Sequence, residues 1–181
     1  MNWDNICKNI LKIEERKPNI DDIEYPGIFG LKRHQEYFNK YKKFYTPPRG
    51  NLFSKIALIG YKPGTKFKHL YKCESAWLFG PSSKALLDVL KEIKLFPYFT
   101  NLIKDESDLS IEDWTNILLD ELTFLKNEYD FEKFIFLGNY KEYNDIMTKF
   151  NSFRVYHPSY VRRFNKKEIF KKQILDIYNI K

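Results

Sequence analysis

The run Lys55-Ile56-Ala57-Leu58-Ile59-Gly60-Tyr61-Lys62-Pro63-Gly64 decides the fold. Its first half is a short apolar stretch with no turn former, which reads as a buried strand. Gly60 and the Pro63-Gly64 pair then force a sharp turn at the carboxyl end. Three further segments read as strands: residues 97–103 (PYFTNLI), 133–137 (KFIFL) and 153–156 (FRVY).

Helical patterns separate them. Ser82 or Ser83 is placed to cap a helix with Leu86, Leu87, Leu90 and Ile93 on one face. Ser110 and Asp113 form a capping box ahead of an amphipathic helix that runs to about residue 128. Gly138-Asn139 opens another helix, and a basic helix covers about residues 166–178. Strands that alternate with helices predict an α/β fold, a three-layer α/β/α sandwich around a central four-stranded parallel sheet.

Ahead of this core, Ile6, Ile10, Leu11 and Ile13 repeat at helical spacing up to Pro18. A second helical stretch covers residues 32–44 before Pro47-Pro48. The expectation is one domain over residues 1–181, with a helical part at 1–50 and the α/β core at 51–181. Its length of 181 residues suits a single domain.

Composition narrows the function classes. At 43% hydrophobic and 18% aromatic, with 7 Gly and 8 Pro, the chain can bury a core, which excludes disordered and collagen-like classes. No apolar stretch approaches the roughly 20 residues of a membrane span. The start Met1-Asn2-Trp3-Asp4 lacks a basic n-region followed by an apolar run, so a cytoplasmic location is expected. Cys7 and Cys73 lie far apart without CxxC spacing, so neither a disulfide framework nor a metal or iron–sulfur site is expected.

The net charge of +7 is uneven: residues 151–181 hold eight Lys/Arg against Glu168 and Asp176. A second basic run, from Lys32 to Arg49, is interleaved with Tyr37, Phe38, Tyr41, Phe44 and Tyr45. Such clusters suit a phosphate backbone, whose condensed counterions they displace. A solvated surface in a lysine-rich chain gives the same composition.

In parallel sheets ligands bind beyond the carboxyl ends of the strands. Those ends hold Gly60–Gly64, Asn101–Lys104, Gly138-Asn139 and His157-Pro158-Ser159. In this order they resemble the uracil-DNA glycosylase superfamily, most closely the bacterial and archaeal family that carries an iron–sulfur cluster. Leu58-Ile59-Gly60-Tyr61-Lys62-Pro63-Gly64 is similar to its first motif, a strand followed by Gly-x-x-Pro-Gly. Trp77-Leu78-Phe79-Gly80-Pro81 with Leu86-Leu87-Asp88 is similar to its aromatic-glycine loop and helix, and Thr100-Asn101-Leu102-Ile103-Lys104 to its Thr-Asn segment. Leu137-Gly138-Asn139 fits the end of the third strand. His157-Pro158-Ser159-Tyr160 with Arg162 or Arg163 is similar to its His-Pro-Ser-x-x-x-Arg motif. The resemblance spans about residues 53–178.

It implies a monofunctional DNA glycosylase. Such an enzyme turns a nucleotide out of single- or double-stranded DNA and hydrolyses the bond from uracil or a modified pyrimidine to deoxyribose. A monomer with no cofactor is implied. Asn101 would read the base edge, since its amide offers both a donor and an acceptor; a turn-forming Asn is the blander alternative. Phe79, or else Trp77, would stack on the base. His157 would donate a hydrogen bond to the departing pyrimidine. Ser159, with Arg162 or Arg163, would hold a phosphate, while Gly60, Pro63 and Gly64 would let the backbone approach the DNA.

Two departures stand out. The first motif carries Tyr61 and Lys62 where active relatives offer a carboxylate or an amide, and the cluster cysteines are missing. A lysine beside a cationic sugar is electrostatically wrong. Lys62 would act as a nucleophile if burial lowered its pKa. Otherwise it would turn outward to phosphate and leave the task to Glu74, or to Asp105 and Glu106. Two other readings stay open: a glycosylase for hydroxymethylated or glucosylated bases of phage DNA, and a member that binds DNA or a nucleotide without hydrolysis.

Overall fold

The structure is a computed structural model that describes residues 48–51, 53–62, 81–104 and 109–179. In chain order the elements are β1 (Arg49–Gly50), β2 (Ile56–Gly60), α1 (Pro81–Glu92), β3 (Tyr98–Asn101), α2 (Ile111–Tyr129) and β4 (Lys133–Leu137). A 3-10 turn (Lys141–Tyr143), α3 (Asn144–Met147), β5 (Ser152–Val155), α4 (Pro158–Arg163) and α5 (Lys167–Asn179) complete the core.

The sheet order is β1-β3-β2-β4-β5, and β3, β2, β4 and β5 are mutually parallel. That is the expected four-stranded parallel sheet, with one addition. Arg49–Gly50, expected in the N-terminal helical part, is an antiparallel edge strand on β3. Gly50 adopts φ +107°, and a Cβ there would sit 2.3 Å from the Pro97 carbonyl oxygen, so glycine is what lets this short strand lie against its neighbour.

Period-2 alternation sorts the strand residues onto two faces. Ala57, Ile59, Phe134 and Phe136 point to one side and meet Trp114, Leu118, Leu122 and Leu125 of α2 and Ile146 of α3. Ile56, Leu58, Ile135 and Leu137 point to the other, against Leu86, Val89 and Leu90 of α1, Val161 of α4, and Phe170 and Ile174 of α5. Burial on both faces explains why β2 and β4 are apolar at nearly every position. Full burial stabilises by about 1.5–3 kcal/mol per large apolar side chain.

The capping box is present at α2. Ser110 Oγ accepts from the Asp113 amide at 3.1 Å, and Asp113 Oδ2 accepts from the Ser110 amide at 3.0 Å. Other boundaries differ from expectation. Ser82 and Ser83 lie inside α1 rather than ahead of it. After β4, Gly138 at φ +102° delays the helix, and only the 3-10 turn and α3 form. The segment after His157 forms α4, with Pro158 at its first position, where a missing N–H costs nothing.

The connections place the site. The chain leaves β2 toward β3 on one side, then crosses back over β2 to β4 on the other. Where successive connections run in opposite directions, as here between β2 and β4, parallel sheets bind ligands at the carboxyl ends of the strands. Among the described residues, no helix is long and apolar enough to cross a membrane.

Candidate active site at the carboxyl ends of the strands

Parallel register lines up the expected residues. Gly60 pairs with Asn101, so the ends of β2 and β3 lie side by side. Beyond the strands the ladder continues: the Leu102 and Ile103 amides donate to the Gly60 and Tyr61 carbonyls, both at 2.8 Å.

Asn101 is 3% exposed, and its Oδ1 is buried and accepts no hydrogen bond among the described residues. A buried amide oxygen left unpaired costs about 1–3 kcal/mol, so its retention asks for a reason. The backbone below it is firmly held. Lys104 Nζ, fully buried, donates to the Asn101 carbonyl and to Thr100 Oγ1. The same ammonium lies 2.7 Å from Glu121 Oε2, and Glu121 Oε1 accepts from the Tyr98 hydroxyl at 3.0 Å. Burial pulls the Lys104 pKa below its ordinary value, and the Glu121 carboxylate opposes that pull. The pair clamps the end of β3 from beneath.

At the end of β2, the Tyr61 ring stacks on Tyr140 at 4.1 Å and 8°, with Tyr143 edge-on at 6.2 Å. The Tyr61 hydroxyl donates to Glu142 Oε1 at 3.2 Å. Burial first, and the nearby Glu142 carboxylate second, hold the phenol above its ordinary pKa of 10.0. Tyr61 is therefore a neutral donor. Lys62 is exposed and has no hydrogen-bond or ion-pair partner among the described residues.

At the end of β5, His157 is half-buried and caps α4. Its Nδ1 accepts from the Ser159 amide at 3.1 Å and lies 2.6 Å from Ser159 Oγ. An accepting Nδ1 assigns the ring proton to Nε2. Burial lowers the His157 pKa, which favours the neutral ring with its proton on Nε2. Tyr140 meets the imidazole edge-on at 6.4 Å and so links His157 to Tyr61.

Gly138 makes that contact possible. A Cβ on it would meet the Tyr140 ring at 2.8 Å and the His157 Cβ at 3.3 Å. Arg154 braces the same loop by donating to Asn139 Oδ1 and Asn144 Oδ1.

The structure thus places Gly60, Tyr61 and Asn101 at the adjacent ends of β2 and β3, with His157 at the end of β5, two strands from β2, linked to Tyr61 through Tyr140. Ser159 holds the imidazole through both its amide and its hydroxyl, bonds that its expected role as a phosphate ligand did not foresee. Arg162 and Arg163 are exposed on α4. Pro63, Gly64, Phe79 and Trp77 lie outside the described residues, as do Glu74, Asp105, Glu106 and the basic run from Lys32 to Lys43. Tyr140, Glu142 and Glu121 were not expected at the site. Glu121 leaves one sequence trace, a carboxylate on the apolar side of α2 between Leu118 and Leu122. Among the described residues, no group of three or more His, Cys, Asp or Glu could hold a metal ion. No protein-family model matches the chain, and no curated protein is similar to it in sequence.

Proposed function

We propose that the chain is a DNA glycosylase that releases uracil or a modified pyrimidine from a flipped-out nucleotide. The observation that carries the reading is the buried Asn101 Oδ1 beside Gly60, which has no hydrogen-bond partner among the described residues, at the carboxyl end of the sheet. A flipped pyrimidine offers a ring N–H to that oxygen, which removes the cost of leaving it unpaired.

The bond between C1′ and the base nitrogen breaks with its electron pair leaving on the base. Negative charge builds on the base oxygens and positive charge on the sugar. The Nε2–H of neutral His157 donates to the developing oxyanion without a prior protonation, and low solvation strengthens that bond. Glu142, hydrogen-bonded to Tyr61, supplies a carboxylate at the neighbouring strand end. It stabilises the cationic sugar and takes the proton of the water whose oxygen bonds to C1′. Lys62, exposed, contacts a phosphate. The resemblance of the strand-end motifs to uracil-DNA glycosylases supports the same reading.

A binding protein without hydrolysis is the second reading. The tight stack of Tyr61 on Tyr140 favours it, because an apolar contact there replaces the polar group expected of the first motif.

A base-release assay on single- and double-stranded oligonucleotides separates the two. The panel contains uracil, hypoxanthine, hydroxymethylcytosine and glucosylated hydroxymethylcytosine. Release of one base is expected, with losses of about 100-fold or more in Asn101→Ala, His157→Ala and Glu142→Gln. No release from any substrate would sink the glycosylase reading.

A further inference from the structure

The surface next to His157 has a property that base release does not require. Tyr156, Tyr160 and Phe164 are 40%, 39% and 52% exposed, although rings of this size normally seek the interior. They form one row. Tyr156 and Tyr160 lie 5.1 Å apart at 43°, and Tyr160 and Phe164 lie 4.6 Å apart at 41°. Phe164 caps α4 four residues after Tyr160, and Tyr156 extends the row past the helix start to the residue beside His157.

Cations neighbour the row in sequence. Arg162 and Arg163 are exposed, Lys166 is half-buried, and none has an acidic partner among the described residues. Farther along α5, Lys167 and Lys171 share the one carboxylate of Glu92, and Lys172 is exposed. Uncompensated positive charge therefore extends from the end of the aromatic row onto α5.

We infer that Tyr156, Tyr160 and Phe164 form a stacking platform for single-stranded DNA, with Arg162, Arg163 and Lys166 holding its phosphates. Ring faces are useful only to bases already unstacked, which a duplex does not present, and aromatic platforms bordered by cations bind single strands without reading sequence. The choice of DNA rests on the glycosylase reading. The platform would lead a single strand directly to His157.

Fluorescence anisotropy of the full chain on unmodified oligo(dT), a matched duplex and oligo(rU) tests this across a salt series. Oligo(dT) is expected to bind more tightly than the other two. Tyr160→Ala and Phe164→Ala are each expected to weaken it about 10-fold, while Tyr160→Phe retains affinity. Arg163→Ala is expected to reduce the slope of log affinity against log salt by about 0.7. The side chains are exposed, and thermal melts establish that each variant folds. Equal or tighter binding of duplex overturns the single-strand assignment, and tighter binding of oligo(rU) overturns the choice of DNA. Affinity unchanged within about twofold in both ring truncations overturns the platform. Undamaged DNA reports binding without chemistry. A chain that binds through the row but releases no base refutes the glycosylase reading alone; the reverse result refutes the platform alone.

Discussion

The two faces of the sheet are built from different materials. The face under α1, α4 and α5 is mostly aliphatic, with Ile56, Leu58, Leu86, Val89, Ile135 and Ile174 interlocked. The face under α2 and α3 is aromatic, with Tyr98, Trp114, Phe131, Phe134, Phe136 and Tyr143, and a lysine–glutamate pair is buried among them. Aliphatic packing is insensitive to direction, whereas a buried ion pair and ring edges tolerate few arrangements. The tolerant face holds the sheet together. The demanding face fixes Asn101 through Lys104 and Tyr61 through Tyr140, where a displacement of an ångström would matter.

Substitutions on each face can break that contrast. The largest effect is expected from Lys104→Met, which strands Glu121 in the core and should cost about 3–5 kcal/mol in urea unfolding. Adding Glu121→Met should restore most of the loss, since two apolar side chains need no partner. If the single variant lost less than about 1 kcal/mol, the demanding face would be no different from the other.

On the aliphatic face, Leu86→Ala should cost about 3 kcal/mol, and Leu86→Met less than about 1.5 kcal/mol. Base release per folded molecule should survive Leu86→Ala but fall in Lys104→Met with Glu121→Met, which loses the bond to the Asn101 carbonyl. Equal activity in the two would show that Asn101 needs no clamp.

The smallest effect concerns pH. Burial sets the folded pKa of His157 below the ordinary 6.5. As pH falls past 6.5 the unfolded chain takes up this proton first, so stability declines until the folded ring also protonates. The slope from this group is at most about 1.4 kcal/mol per pH unit. Wild type should lose more stability than His157→Gln over that range in parallel melts. Base release should persist below pH 6.5 for the same reason.

What was legible in the sequence follows the physics of each element. The strands of Ile56 and Phe134 announced themselves because burial on both sides demands an unbroken apolar run, and Ser110 with Asp113 marked α2 because a capping box is local. Asn101 and His157 were visible as polar residues closing apolar strands. The strand Arg49–Gly50 was not, because two residues carry no period and its pairing is entirely tertiary. The clamp joins Lys104 to Glu121 across separate elements. Tyr61 reaches Glu142 from 81 positions away in the chain. Such partners share no pattern that spacing could reveal. Tyr156, Tyr160 and Phe164 were in plain view, but only their exposure separates a surface row from core.

Gly138 limits how this protein can change over time. Its backbone is of the handedness that side chains avoid, and the space where one would grow is taken by the Tyr140 ring. Losing that ring would open the space without changing the backbone, so a side chain at 138 stays strained whatever stands at 140. Positions 140 and 61 can change together while 138 stays glycine. Libraries that randomise all three should return varied pairs at 61 and 140 beside an unchanged Gly138.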